Sequence, residues 1–371
     1  MLWGADHIRA ERKKTEFKKH AYLSKACAID RHQVEGVILG SSRAEIGIDP
    51  RQISSSAASF YNLALPEGKI HTAYRYLQHA IESNDLVEVI LTLDFFMFNA
   101  ARPQADGFDN RYLSVNADGS ENRGQIRAID LILSLDTFWA AVDTVKSQSS
   151  AGALHLENGM VATPSLRWDE GPARRGHLAA FRKNEGFYFN GHYQNFTFKA
   201  GAYNSLDDLK NILTLAAEND IQLYLAISPV HARKLEVIAA KGLWTAFEQW
   251  KREIVNLNAQ VTANHDIYPY LVWDFTGYNS ITTEPVPKQD DEQSRMRWYY
   301  ESSHYRPALG NLMIARIFGE ENELLRENPD FGVRLGRASI DEHLRDIRQR
   351  RVAWVTENPV IYQEIQSYND D

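Results

Sequence analysis

An alternation of short apolar runs with amphipathic segments constrains this chain most. Residues 34–39 (VEGVIL) run into Gly40, and residues 87–93 (VEVILTL), 221–227 (IQLYLAI) and 271–275 (LVWDF) repeat the pattern. Residues 60–64 (FYNLA) form a fifth run, cut short by Pro66 and Gly68. Runs of this length, rich in β-branched residues and apolar on both faces, read as buried strands. Between them Ile70, Ala73, Tyr74, Leu77 and Ile81 recur at helical spacing, and 207–218 and 244–257 read as further helices. Residues 307–318 form the last helix of the series, with Pro307 at its first turn, where a missing N–H is harmless.

Strands alternating with helices imply a parallel sheet covered on both faces. The expected fold is therefore a three-layer α/β/α sandwich, with five parallel strands in a doubly wound, flavodoxin-like order. Functional sites in such sheets gather at the carboxyl ends of the strands. The stretch from about 95 to 200 breaks the rhythm. It is rich in Gly, Asn, Asp and aromatics, contains one expected helix at 129–146, and reads as an insertion. The expected organisation is a helical segment over 1–33, an α/β domain over 34–319 carrying that insertion, and a charged extension over 320–371 with a helix at 340–354. A length of 371 residues would also suit two domains. No repeat or composition shift marks a cut.

Composition removes several function classes. With 44% hydrophobic and 11% aromatic residues the chain can bury a large core. Its net charge of −8, with Lys and Arg scattered, repels a phosphate backbone, so nucleic acid is not an expected partner. Cys27 is the single cysteine, so no intrachain disulfide forms. It falls in an expected helix at 17–28 and reads as a buried structural thiol, with a nucleophile as the alternative. No run approaches the ~20 apolar residues needed to span a bilayer. Residues 1–14 carry Arg9, Arg12, Lys13 and Lys14 without an apolar core, so they do not read as a signal peptide. The expected location is cytoplasmic for a complete chain and extracytoplasmic for one whose anchor has been removed. No HExxH, GxxxxGK[ST] or GxGxxG occurs, so neither a metal nor a nucleotide cofactor is expected.

Two short motifs carry the chemistry. Gly40-Ser41-Ser42-Arg43 follows the first strand on a turn into a helix, where either serine could serve as a helix N-cap or Ser42 as a nucleophile. Glu301-Ser302-Ser303-His304 lies between the last strand's loop and the last helix, on the same expected sheet edge. A serine needs a base to take its proton, and a free histidine titrates near ~6.5, suited to neutral pH. The base needs a carboxylate to hold its tautomer, and Glu301, three residues earlier, can curl back to the ring. Asp274, ending the fifth strand, is the rival carboxylate.

On these residues the chain resembles the SGNH/GDSL hydrolases, whose first block places Gly-x-Ser after the first strand and whose last is Asp-x-x-His before the final helix. Gly40-Ser41-Ser42 matches the first, and Glu301-Ser302-Ser303-His304 the last, with Glu for Asp. The stretches YNLALPEG and VILTLDFFMFN are also similar to bacterial SGNH-like envelope proteins related to alginate O-acetyltransferases. The resemblance covers about 30–100 and 220–320. It implies an oxyanion hole built from a second-block glycine, here Gly68, and a third-block asparagine. Asp94 stands where that block is expected and cannot donate while ionised. Asn99 is the nearest amide.

Further candidates flank the motifs. Arg43 could bind an anionic substrate group or pair with Glu45 or another carboxylate. His231, ending the fourth strand, could contact substrate, cap a helix or pack. Phe187, Tyr188, Phe189, Tyr193, Phe196 and Phe198 could stack on sugar rings or fill the core of an inserted lobe. The resemblance implies a serine-dependent esterase or O-acyltransferase acting on a carbohydrate ester of the cell envelope, with an acyl donor and membrane-associated biosynthetic machinery as partners. The alternative is a non-catalytic glycan-binding or polysaccharide-assembly factor on the same scaffold.

Overall fold

The computed structural model describes residues 21–122, 155–162, 176–288, 291 and 293–369. Six strands form one mostly parallel sheet: β1 (Gly36–Leu39), β2 (Phe60–Asn62), β3 (Glu88–Leu93), β6 (Gln222–Ile227), β7 (Leu271–Asp274) and β8 (Val333–Leu335), in the order β2-β1-β3-β6-β7-β8. All neighbours from β2 to β7 pair in parallel. β8 closes the far edge antiparallel to β7, with Val272 opposite Leu335. The small strands β4 (Lys199–Ala200) and β5 (Tyr203–Asn204) form a separate antiparallel ribbon. The five runs read from sequence all become strands of the main sheet. β8 went unread because it has three residues, two of them exposed, and so shows no pattern.

From β1 the chain passes to β2 on one side and then returns to β3 on the other. The connections leaving β1 and β3 therefore diverge at their carboxyl ends, where sites of such sheets gather. Strand side chains alternate between two apolar clusters. Val37, Leu39, Val89 and Leu91 face one; Ile38, Ile90 and Ala226 face the other.

The first cluster is closed by α3 (Ile70–Ser83), α5 (Ser205–Glu218) and α7 (Trp244–Asn264), which pack side by side. α3 shows why such a segment is a helix: Ala73, Tyr76, Leu77 and Ala80 are buried at the spacing of one helical face. α1 (21–29) adds Tyr22, Ala26 and Ile29 to this cluster. The second cluster is closed by α8 (Pro307–Phe318), which supplies Leu309, Leu312 and Met313 and packs on the short α2 (Ser42–Gly47). Gly319, at φ 69°, ends α8 in the left-handed conformation usual for a helix stop.

The expected insertion helix at 129–146 lies outside the described residues. Downstream come α4 (His177–Phe187) and a π-helical turn, Tyr188–His192. Of the six aromatics considered for sugar stacking, Tyr188, Phe189 and Tyr193 belong to the first cluster, and Phe196 and Phe198 pack against it. Phe95 stacks on Phe196 at 4.2 Å. Only Phe187 is substantially exposed, so packing accounts for the group. α6 (Ala232–Ala240) precedes α7, and α9 (Glu323–Glu327), α10 (Ile340–Glu357) and α11 (Pro359–Gln366) complete the chain. Ile340, Leu344, Ile347 and Trp354 of α10 join the first cluster, so the C-terminal extension shares the core of the sheet. Among the described residues no helix is long and apolar enough to cross a membrane.

The contact of α2 with α8 is a close backbone approach. A Cβ built on Gly310 would stand 1.8 Å from the carbonyl oxygen of Gly47. Gly310→Ala should therefore lower stability by about 1–3 kcal/mol through overpacking. Gly186→Ala, a helical site where a Cβ meets nothing within 4 Å, should gain ~0.5–1 kcal/mol. Urea denaturation of the two variants checks both signs.

Candidate active site

The turn after β1 is fixed by its neighbour. Gly40 has φ 153°, and a Cβ there would stand 1.9 Å from Thr92 Oγ1 of β3, so the chain needs glycine to turn this close to the adjacent strand. Ser41 caps α2: its Oγ accepts the Arg43 N–H at 3.2 Å and donates to the Asp94 carboxylate in a very short bond. Ser42 is the first residue of α2, where the backbone N–H has no intrahelical acceptor.

His304 is carried by a folded-back loop. Tyr299 and Tyr305 form an antiparallel bridge, and N–H groups of Tyr300 and Arg306 donate to the carbonyls of His304 and Trp298 at 3.0 and 2.8 Å. This pinches residues 301–304 into a tip. There Glu301 Oε1 accepts the His304 N–H at 3.0 Å and Oε2 accepts the Ser303 N–H at 2.7 Å. The same carboxylate makes a very short bond to His304 Nδ1. The other ring nitrogen, Nε2, lies 2.8 Å from Ser42 Oγ, although 262 positions separate the two residues. Ser42, His304 and Glu301 thus meet beside the carboxyl ends of β1 and β3. A hydroxyl, an imidazole and a carboxylate in this relay can move the serine proton to Nε2 while the carboxylate fixes the ring tautomer.

Buried charges surround the relay. Burial works to raise the Glu301 carboxyl, but attraction to His304, the hydrogen bond to it, the nearby Lys234 and the Ser303 N–H outweigh burial and hold it below its usual range. Lys234, on α6, is fully buried with its Nζ 3.6 Å from the centre of the Tyr188 ring and 2.5 Å from Asn184 Oδ1. Burial brings the Lys234 amine down to about 7, against the pull of Glu301 and Glu185.

Arg43 does not reach outward to a substrate; it pairs with another carboxylate, Asp94, rather than with Glu45. Its guanidinium is buried and donates through Nη1 to Asp94 at 2.6 Å and through Nε to Ser303 Oγ at 2.9 Å. Nη2 lies 3.4 Å from the Tyr188 hydroxyl. Burial opposes its charge, yet Asp94 raises its pKa above the ordinary value. Glu45 instead meets His155 at 2.9 Å and Lys25 at 3.5 Å.

Four other sequence candidates stand elsewhere. The Gly68 backbone lies against the nucleophile turn, but its N–H donates to the Leu65 carbonyl at 3.0 Å. The Asn99 amide donates to the His192 and Gln194 carbonyls at 3.0 and 3.1 Å, and its oxygen accepts the Ala101 and Thr197 N–H groups. Neither group is placed to serve an oxyanion, because each is consumed in shaping its own loop. His231 caps α6 by accepting the Arg233 N–H and binds the Glu284 carbonyl at 2.7 Å, with Phe181 edge-on. Asp274 is held by Lys251 at 2.6 Å and by His343 at 2.8 Å, away from His304. Sequence reasoning missed Ser303 and Lys234, the hydroxyl contacts of Tyr188 and the structural role of Asp94. An acid and an arginine at two adjacent strand ends were the only available signal. Cys27 is half-buried in α1, and burial raises its thiol pKa. Among the described residues no group of three His, Cys, Asp or Glu side chains is arranged to hold a metal ion.

Burial lowers the His231 imidazole to about 3, only partly offset by the Glu284 carbonyl. An unfolded histidine titrates near ~6.5, so the folded state loses stability as pH falls from there toward 3. His231→Gln removes that titration. The stability gap between wild type and His231→Gln should be widest at pH 7 and narrow toward pH 4. Urea midpoints across that range read it, and a constant gap would show that His231 is not held neutral.

Comparison with protein-family models, curated proteins and solved structures finds no match for this chain.

Proposed function

We propose that this chain is a serine-dependent ester hydrolase or O-acyltransferase of the SGNH type, acting on a carbohydrate ester. The observation that carries this reading is the contact of Ser42 Oγ with His304 Nε2 at 2.8 Å, with Glu301 on the opposite ring nitrogen. The sheet supports it: five parallel strands in the order β2-β1-β3-β6-β7 with apolar clusters on both faces fit a flavodoxin-like three-layer fold. The residues lie where that fold gathers its sites.

In the proposed reaction His304 Nε2 takes the Ser42 proton as Oγ attacks the ester carbonyl. The Ser42 N–H supports the developing oxyanion. Collapse of the tetrahedral adduct breaks the ester bond, and the leaving alkoxide takes the proton from His304. Water or a sugar hydroxyl then attacks the acyl-serine, giving its proton to His304, and the returning proton restores Ser42. Glu301 holds the ring and balances the imidazolium. An acyl donor and membrane-associated machinery of envelope polysaccharide synthesis are the partners this chemistry would serve.

One observation favours a second reading, a non-catalytic glycan-binding or assembly factor. The Gly68 N–H and the Asn99 amide are both engaged within the protein, and one oxyanion donor is worth about 10²–10³ in rate. Covalent capture separates the readings without needing the true substrate. A fluorophosphonate ester should label wild type at Ser42, mapped by peptide mass spectrometry. Ser42→Ala should lose the label and reduce ester turnover by up to ~10⁶, at a stability change of ~1 kcal/mol or less. Ser41→Ala should still be labelled. Wild type that stays unlabelled would favour the binding factor.

A further inference from the structure

We infer that Arg43 is a positioning residue that sets the register between the nucleophile turn and the base loop, acting through Ser303. This rests on the esterase reading. Ser42 and His304 reach each other from opposite ends of the chain, so their alignment depends on whatever joins their two segments. α2 and α8 pack together, but the polar link nearest the reacting atoms is Arg43.

Its connections form two parts. On the nucleophile side there is a closed ring: the Arg43 N–H donates to Ser41 Oγ, Ser41 Oγ donates to Asp94 Oδ2, and Asp94 Oδ1 accepts Arg43 Nη1. That ring joins the turn after β1 to the end of β3. On the base side Arg43 Nε donates to Ser303 Oγ at 2.9 Å, while Ser303 Oγ donates to the Tyr188 hydroxyl at 3.0 Å. Giving its proton to Tyr188 leaves the Ser303 oxygen free to accept from Arg43. Ser303 also donates its backbone N–H to Glu301 at 2.7 Å, and Glu301 holds the His304 ring. A shift of Ser303 is therefore a shift of Glu301 and of His304 Nε2.

This use requires an arginine. Only a planar guanidinium offers separate donors in fixed directions, one toward Asp94 and another toward Ser303; a lysine is a single point of charge. Stability alone gives little reason for the arrangement, since a buried ion pair contributes little net stability compared with apolar packing. Alignment gives a better one, because a misplacement of about 1 Å between reacting groups can lower a rate by roughly 10²-fold.

The test measures the fluorophosphonate labelling rate of Ser42, ester kcat and KM, and the fraction folded, for wild type, Ser303→Ala, Arg43→Lys and the double variant. Ser303→Ala keeps the Arg43–Asp94 pair and the backbone N–H to Glu301, and removes the hydroxyl that bonds Arg43 and Tyr188. The expected result is a fall of about 10- to 100-fold in labelling rate and kcat, with KM nearly unchanged and the protein folded. Arg43→Lys should fall comparably, and the double variant should be little worse than either single, as for two ends of one link. If Ser303→Ala labels at the wild-type rate, the positioning role is overturned while the esterase reading stands, even where Arg43→Lys fails to fold. If folded wild type is not labelled at all, the esterase reading falls and the positioning role falls with it.

Discussion

A buried guanidinium, that of Arg43, is the constraint around which the site is built. An isolated charge out of water is strongly unfavourable, so Arg43 must find partners in every direction it points. Asp94 at the end of β3, Ser303 in the base loop and Tyr188 in the π-helical turn supply them. Phe96 and Tyr188 lie 5.4 and 5.6 Å from the guanidinium carbon and exclude water from it. Three segments far apart in the chain are drawn together by the need to satisfy one side chain. The same convergence brings Ser42 and His304 into contact.

Charge burial also governs how the C-terminal third is fastened. Asp274 at the end of β7 receives Lys251 from α7 and His343 from α10. Arg233 on α6 is held by Glu185 of α4 and by Glu364 of α11, at 2.8 and 2.7 Å. Glu236, one turn along α6, takes Arg351 from α10 at 2.8 Å. Burial pushes Asp274 upward, but the Lys251 and His343 charges overcome it and depress its pKa strongly. A depressed carboxylate gives stability that is present above its unfolded value of ~3.9 and is lost as pH falls below it. α10 and α11 are therefore joined to the sheet partly by contacts that acid would weaken, whereas the central strands are held by apolar packing.

The same physics decides what could be read from sequence. The five parallel strands were legible because each is a short, mostly apolar run, and β1 and β3 are buried along their whole length. α3, α5, α7 and α8 were legible for the complementary reason, an apolar stripe or, in α8, a marked start and stop. α6 was not: it is only nine residues long, and the buried charges Arg233, Lys234 and Glu236 stand among its apolar residues. In the site, Ser42, His304 and Glu301 stood out because their placement depends on strand ends and on a three-residue spacing. Gly68, Asn99 and His231 were singled out for chemical type. Their roles depend on where their hydrogen bonds go, and those partners lie 3, 93 and 53 positions away. Asp94 was read as a missing oxyanion donor; its value lies in accepting from Ser41 and Arg43, a pairing that appears only when β1 and β3 are neighbours.

Under the proposed function, Asp94 in the place of a third-block amide would have a chemical consequence as well as a structural one. An asparagine there would offer the site a neutral donor, while a carboxylate offers only acceptors and brings a negative charge close to a forming oxyanion. Arg43 pairs with that carboxylate at 2.6 Å, so an ionic tie between the turn after β1 and the 301–304 loop stands where that reading expects a neutral donor. On the same reading, catalysis would depend more on alignment of Ser42 with His304 than on oxyanion stabilisation. The first chemical step, attack by Ser42, tests alignment directly. Turnover also tests the later steps, in which the oxyanion forms a second time. Capture of Ser42 by a phosphonate ester, which stops after the first attack, is thus the measurement in which this architecture should show its strength.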